Sequence, residues 1–358
     1  ERHVRDALGD DVTVLPYIMP GFPLAKAVAD AYEAAPAVKG VVLGLHGLFT
    51  FGASAEESYE RHIELVDRCE AFVAKHSTPL VTVAHAVANA PLAERVLPAL
   101  RGAAAERDPE GQVRTRFVCD LRTSPEAIAF ASDPRAPEWA ASGPLTPDHV
   151  IRTKAQPLAL TGLPDDDRAA DFVRDAVARF RAEYAESFAR CSAARGVSRR
   201  MLDSAPRVVL VPGVGVVTLG PTKADAAIAA DLYERTIATK LSASALGPYR
   251  GLGELDLFDM EYWSLEQAKL GKAKPKPLAG RVAIVTGGAG AIGRGVAEEL
   301  AKEGAHVALV DLRGAGEAAA SLREALGEYA AWGFECDVTD EAQVQHTFGE
   351  VVRTLGGV

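Results

Sequence analysis

Apolar positions along the chain fall into short runs separated by amphipathic stretches, the pattern of alternating strands and helices. Val12, Thr13, Val14 and Leu15 read as a strand, residues 16–23 as a loop rich in proline and glycine, and residues 24–34 as a helix. Val41, Val42 and Leu43 form a second buried run, followed by a turn and another strand between His46 and Gly52. A helix is expected over 53–73, because Ser54 stands at its N-cap and Glu57 follows at the capping-box spacing. Glu60, Arg61, His62 and Glu64 mark its wet face. Residues 77–145 carry many prolines and read as mixed and irregular, apart from a strand at Phe117, Val118 and Cys119. A charged helix is expected near 166–190, and Val208 to Val211 form a further strand.

The chain also repeats itself. Gly47 to Gly52 (GLFTFG) and Gly215 to Gly220 (GVVTLG) share one pattern, each after an apolar strand and each before a helix. His46 precedes the first copy and Val214 the second. Residues 269–281 mix lysine, glycine and proline without an apolar face and read as an exposed connection.

After it, Val282, Ala283, Ile284 and Val285 form a continuous apolar strand of the kind buried in parallel sheets. Thr286, Gly287, Gly288, Ala289, Gly290, Ala291, Ile292 and Gly293 follow directly, then a helix to about Lys302, then a strand from His306 to Asp311. Glycines allow the backbone to approach a pyrophosphate, and the helix N-terminus offers free N–H groups and the positive end of its dipole. Asp311 stands where a carboxylate accepts hydrogen bonds from ribose hydroxyls and repels a 2′-phosphate, so NAD is expected over NADP.

Charge and composition narrow the partners. A net charge of −10 argues against a nucleic-acid binder. No apolar run approaches the roughly 20 residues that span a bilayer. Four cysteines, Cys69, Cys119, Cys191 and Cys336, are widely spaced without a C-x-x-C pair, which points to reduced thiols and a cytoplasmic protein. Small molecules are the expected partners, with self-association plausible. The chain starts without methionine and ends where the dinucleotide fold is half built, so it is expected to be a piece of a longer polypeptide.

The segment from residue 278 onward resembles the short-chain dehydrogenase/reductase family, whose T-G-x-x-x-G-x-G turn is matched by Thr286, Gly287 and Gly293, with Ala291 in place of the middle glycine. Cys336, Asp337, Val338, Thr339 and Asp340 are similar to that family's adenine-contacting segment, which makes Asp337 a candidate, although a cap after the strand is an equal reading. The family's serine and Y-x-x-x-K pair have no equivalent before Val358. Leu43 to Gly52 resembles the class II aldolase/adducin family, in which the histidine before glycine is the last of three zinc ligands; by that resemblance His46 is a metal ligand. No His-x-His pair is present to supply the other two. Tyr17, Lys26 and the loop at Gly21 are weaker candidates for approaching a substrate phosphate. His3, His62, His76 and His85 read as surface residues, and His149 as a loop residue.

Three further stretches, Tyr17 to Lys26, Thr146 to Lys154 and Phe258 to Gln267, resemble bifunctional rhamnulose-1-phosphate aldolase/short-chain dehydrogenases. The resemblance implies cleavage of a ketose 1-phosphate to dihydroxyacetone phosphate and lactaldehyde, with NAD-dependent oxidoreduction of the product. No catalytic acid or base for either reaction is expected within this chain. Two other readings stay open: a dehydrogenase with an inert aldolase-derived domain, and an adducin-like scaffold. The expected architecture is α/β, a class II aldolase-like mixed region followed by a truncated Rossmann-type doubly wound parallel sheet. Its expected parts are 1–145, 146–268, a linker at 269–280, and 281–358.

Overall fold

The computed structural model describes residues 1–77, 87–270 and 274–358. His85 lies outside the described residues. The first unit runs α1 (Arg2–Leu8), β1 (Val12–Leu15), α2 (Phe22–Ala34), β2 (Gly40–Leu43), β3 (Gly47–Thr50) and α3 (Ala55–His76). The second opens with α4 (Ala90–Ala104), β4 (Glu106–Arg107), β5 (Val113–Thr115), β6 (Val118–Arg122), α5 (Pro125–Ser132) and α6 (Ala136–Ala141). It continues with α7 (Val150–Thr153), β7 (Leu158–Ala159), α8 (Ala169–Arg195), β8 (Val208–Val211), β9 (Gly215–Gly220), α9 (Lys223–Leu246), α10 (Glu254–Glu261) and α11 (Ser264–Ala268). The last unit is β10 (Val282–Thr286), α12 (Ala291–Lys302), β11 (His306–Asp311), α13 (Ala315–Leu326), β12 (Ala331–Glu335) and α14 (Glu341–Leu355). No described helix is long and apolar enough to cross a membrane.

The internal repeat is a repeat of structure. In the first unit β1 pairs in parallel with β2, and β2 forms a hairpin with β3 in which Leu43 faces Gly47. In the second, β7 pairs in parallel with β8, and β8 forms a hairpin with β9 in which Val211 faces Gly215. Two side-chain contacts recur in both copies. Ser54 caps α3 by accepting from the Glu57 N–H (3.1 Å), and Thr222 caps α9 by accepting from the Asp225 N–H (3.1 Å). Thr50 Oγ1 donates to Ser58 O (2.9 Å), as Thr218 Oγ1 does to Ala226 O (2.7 Å). Glu57 reaches back to the Ala53 N–H (2.6 Å), so the expected capping box closes one residue before the cap. Arg61 and His62 are half-buried rather than on the wet face: Arg61 Nη1 donates to Phe51 O, and His62 lies beside Thr50.

The stretch read as irregular contains α4, a helix whose Leu92, Val96, Leu97 and Leu100 are all buried. Three of its prolines mark helix starts and not breaks. Pro91, Pro125 and Pro137 sit in the first turns of α4, α5 and α6, where the missing N–H had no partner to lose. The boundary expected at 145/146 is also corrected. A single four-stranded sheet, ordered β6-β9-β8-β7, takes strands from both sides of it. One face of that sheet packs on α4 and α8, the other on α5, α6 and α9.

The last unit is a parallel sheet ordered β10-β11-β12, as expected. It is fastened to the second unit. Val118 of β6 packs with Val282, Ala308, Val351 and Leu355 in one cluster. Arg101 on α4 donates to the carbonyls of Phe117, Gly280 and Gly357. Lys223 Nζ, on α9, donates to Cys119 O (2.8 Å) and Thr354 O (2.6 Å), with Asp120 at 3.0 Å. The connecting stretch is therefore pinned at its end rather than freely exposed: Leu278 packs against the sheet and Gly280 is buried.

His306 belongs to the same junction. Its Nε2 accepts from the Lys223 backbone N–H (3.2 Å), so Nδ1 carries the proton and donates to Tyr329 O (2.8 Å). Burial pushes its pKa down from the usual histidine value. The unfolded chain takes up a proton near pH 6.5 that the folded chain refuses. Stability is thus full above pH 6.5 and falls by up to about 1.4 kcal/mol per pH unit below it, until the folded state protonates as well. Urea titrations between pH 7.5 and 5.5 are expected to show this slope, and His306→Gln to flatten it. An identical slope in the variant rules out this origin.

Candidate functional site

The glycine turn lies at the C-terminal ends of the parallel strands, between β10 and α12. Gly287 takes the left-handed conformation (φ 65°), and a Cβ on Gly293 would drive into the Gly287 carbonyl oxygen. The two glycines therefore permit the close approach of turn and helix that the sequence pattern called for. No side chain caps α12, so the N–H groups of its first turn face outward unpaired by a cap. Asp311, at the tip of β11, reaches directly to this turn: Oδ2 accepts from the Ala289 N–H (3.0 Å) and Oδ1 from the Leu312 N–H (2.8 Å). Thr286, Gly287, Gly288, Ala289, Gly290, Ala291, Ile292, Gly293 and Asp311 thus form one cradle, and it fits a dinucleotide diphosphate and ribose.

Asp337 stands apart from that set. It follows β12, and its Oδ1 accepts from the Thr339 N–H (2.9 Å) and from Thr339 Oγ1 (2.7 Å). These bonds hold its carboxyl below the usual carboxylate range. The helix cap itself is Asp340, which accepts from Ala342 and Gln343. The side chain of Asp337 organises its own turn, while its exposed neighbour Val338 lies open at the same edge of the sheet as Leu312.

His46 sits in the hairpin turn between β2 and β3. Its Nδ1 is buried and has no hydrogen-bond partner among the described residues, as a ligand awaiting an ion would be. Leu45, just before it, is held at φ 57°, a strained setting for a residue with a side chain. The equivalent of Leu45 in the repeat is Gly213 (φ 73°), and Val214 replaces His46. The second copy has lost both the strain and the nitrogen. Among the described residues no group of three or more His, Cys, Asp or Glu side chains is placed to hold a metal ion. The described residues supply one ligand and not a site.

Tyr17 approaches the same region from the loop after β1. Its hydroxyl is buried without a partner, and burial, together with Asp256 and Asp259 on α10, pushes its pKa up to about 12. Leu45 lines a small crevice with Tyr249 and Leu257, so this turn faces the second unit. No local pattern signals that approach, because no periodicity links residues 17 and 45 to residues near 256. Lys26 is engaged in an exposed ion pair with Asp30 (2.6 Å) and needs no ligand to explain it. His3 and His76 are exposed as expected.

The chain matches three families in order. Residues 1–73 match "Class II Aldolase and Adducin N-terminal domain", residues 91–270 "Aldolase class II, second domain", and residues 281–358 "short chain dehydrogenase". It is 31% identical over 372 residues to the "Uncharacterized oxidoreductase YuxG" of Bacillus subtilis, which covers 99% of this chain and 52% of that protein. The chain thus spans about half the length of this curated relative. Human 15-hydroxyprostaglandin dehydrogenase [NAD(+)] is 43% identical over 79 residues, which is 22% of this chain and 30% of that one. A solved NAD+-bound xylitol dehydrogenase is 42% identical over 22% of this chain and 30% of its own, with a TM-score of 0.21.

Proposed function

The chain belongs to the aldolase class II, second domain, family and continues into a short chain dehydrogenase segment, and from this we propose that it is part of a two-activity enzyme of sugar breakdown. One activity is the retro-aldol cleavage of a ketose 1-phosphate, rhamnulose 1-phosphate by resemblance, to dihydroxyacetone phosphate and lactaldehyde. The other is NAD-dependent oxidoreduction of the aldehyde or alcohol product. A phosphorylated sugar and an aldehyde are then its partners, in a cytoplasmic and self-associating protein. A zinc ion held in part by His46 would serve the first activity.

The observation that supports the dinucleotide part of this reading is the hydrogen bond from the Ala289 N–H to Asp311, which sets a carboxylate against the glycine turn. When bound, NAD supplies the hydride acceptor. The chain's own residues do the holding. The N–H groups opening α12 meet the diphosphate with the helix dipole behind them. Asp311 exchanges its backbone partners for ribose hydroxyls and turns away a 2′-phosphate. Leu312 and Val338, both exposed, offer apolar faces to a planar base. An adducin-like scaffold gives no reason for this cradle.

Calorimetric titration of the chain with NAD and NADP tests the reading. NAD is expected to bind at least about tenfold more tightly, the worth of one charge-assisted interaction. Asp311→Ala is expected to bring the two affinities together by weakening NAD. Equal affinities in the unsubstituted chain, or an unchanged preference in the variant, would count against it.

A further inference from the structure

Two of the stretches singled out in the sequence, Thr146 to Lys154 and Phe258 to Gln267, lie outside the dinucleotide cradle, and their inner residues Lys154, Glu261 and Tyr262 line a separate cavity. The fold brings their ends together at the floor of a cavity of about 570 Å³ between α8, α10 and residues 154–161. Lys154 is 5% exposed, and its Nζ donates to Asp203 O (2.7 Å) and to Glu261 Oε1 (3.2 Å) while lying 4.0 Å from the Tyr184 ring centroid. Tyr184 Oη donates to the same Glu261 oxygen (3.0 Å) and contacts Tyr262 Oη (2.8 Å). Burial pushes the lysine down and both tyrosines up from their ordinary values.

The backbone supports a functional reading over a purely structural one. Lys154 is held at φ 63°, ψ 172°, a conformation essentially confined to glycine. Its N–H donates to Val150 O (3.0 Å), and Thr153 Oγ1 bonds both His149 O and Lys154 O (3.1 Å each), so the surroundings impose the strain. A buried ion pair is costly to assemble and a lysine at this angle costs more. Strained residues of this kind gather at ligand sites.

We propose that this cavity is a ligand site in its own right, taking a small uncharged polyhydroxy compound of sugar size at the Lys154–Glu261 pair. The lining selects that chemistry. Its three cations, Lys154, Arg179 and Arg190, are matched by three carboxylates, Glu183, Glu254 and Glu261, so neither an anion nor a cation finds a net field. An ammonium only donates and a carboxylate only accepts, whereas a hydroxyl does both and satisfies the two together. Phe188, Phe258 and Tyr262, with ring centroids 4.8–6.0 Å apart and planes tilted to one another, supply an aromatic wall for the C–H faces of such a molecule.

Calorimetry and saturation-transfer NMR on the whole chain, with xylitol and L-rhamnose as neutral probes and lactate and ethanolamine as charged ones, decide the matter. The neutral probes are expected to saturate at millimolar concentration and the charged ones not. Lys154→Met and Glu261→Gln are expected to weaken the neutral probes at least about tenfold. Because those variants disturb a buried pair, Ala141→Trp provides a second check: it adds bulk at an exposed residue of the lining and is expected to abolish binding while leaving NAD affinity unchanged. No saturation by either neutral probe, equal binding of the charged probes, or undiminished binding in Ala141→Trp would overturn the proposal.

Discussion

Gly293→Val is expected to abolish NAD binding, with a loss of at least about a hundredfold in affinity, because the substituted side chain cannot coexist with the turn it packs against. Its Cβ would enter the space of the Gly287 carbonyl oxygen, and Gly288 Cα stands 3.0 Å away on the same side. Neither atom can yield without unwinding the cradle, since Gly290 N–H donates back to Gly287 O (3.1 Å) and Gly288 N–H to Val310 O (3.2 Å). Overpacking of this kind costs about 1–3 kcal/mol of stability. The loss in binding exceeds that of a single contact, because the diphosphate depends on several N–H groups at once. Ala291→Gly, which restores the glycine of the dehydrogenase turn, serves as the control and is expected to preserve or improve binding. Paired NAD titrations and urea unfolding of both variants check this. Retained NAD affinity in Gly293→Val would show that the diphosphate is held elsewhere.

Lys223→Met carries the largest expected cost in stability, about 3 kcal/mol, the range for removing one partner of a buried charged network. The lysine is 7% exposed and its ammonium is surrounded by Cys119 O, Thr354 O and Asp120. Methionine fills a similar volume but leaves two carbonyls unmatched and Asp120 with Arg122 alone (2.7 Å). The contacts span two units, since Thr354 is on α14 whereas Cys119 and Asp120 are on β6. The variant is therefore expected to unfold in two steps, with the dinucleotide unit melting first. Urea unfolding followed by fluorescence and by circular dichroism would show the transitions separating. A single coincident transition with a loss under about 1 kcal/mol, the size of an ordinary hydrogen bond, would mean that this lysine does not couple the units.

Legibility in the sequence followed the range of the interactions. The dinucleotide unit was readable almost to the residue: strand, glycine turn, helix to Lys302 and strand to Asp311 are all local patterns, and the structure places them there. The repeat was readable from its glycines, and the paired caps and threonine bonds make it firm. α4 was not, because prolines in first turns look like breakers until the helix behind them is seen. The 145/146 boundary failed for a different reason: β6 and β9 pair across about a hundred residues, which no window registers. The same distance hid the Lys154–Glu261 pair, although both stretches stood out. Asp337 and Asp340 lie three positions apart in one turn, and only the hydrogen bonds tell which of them caps.

The cluster in which Val118 meets Val282, Ala308, Val351 and Leu355 changes what the peptide between the units is for. With Arg101, Lys223 and His306 gripping across the same seam, covalent continuity there is a convenience of synthesis and not the fastening. A protease nick in the linker would leave two polypeptides that travel as one particle. A hinge-like swing of the last unit relative to its neighbour would first have to tear open this apolar seam, so the two are expected to move as one body.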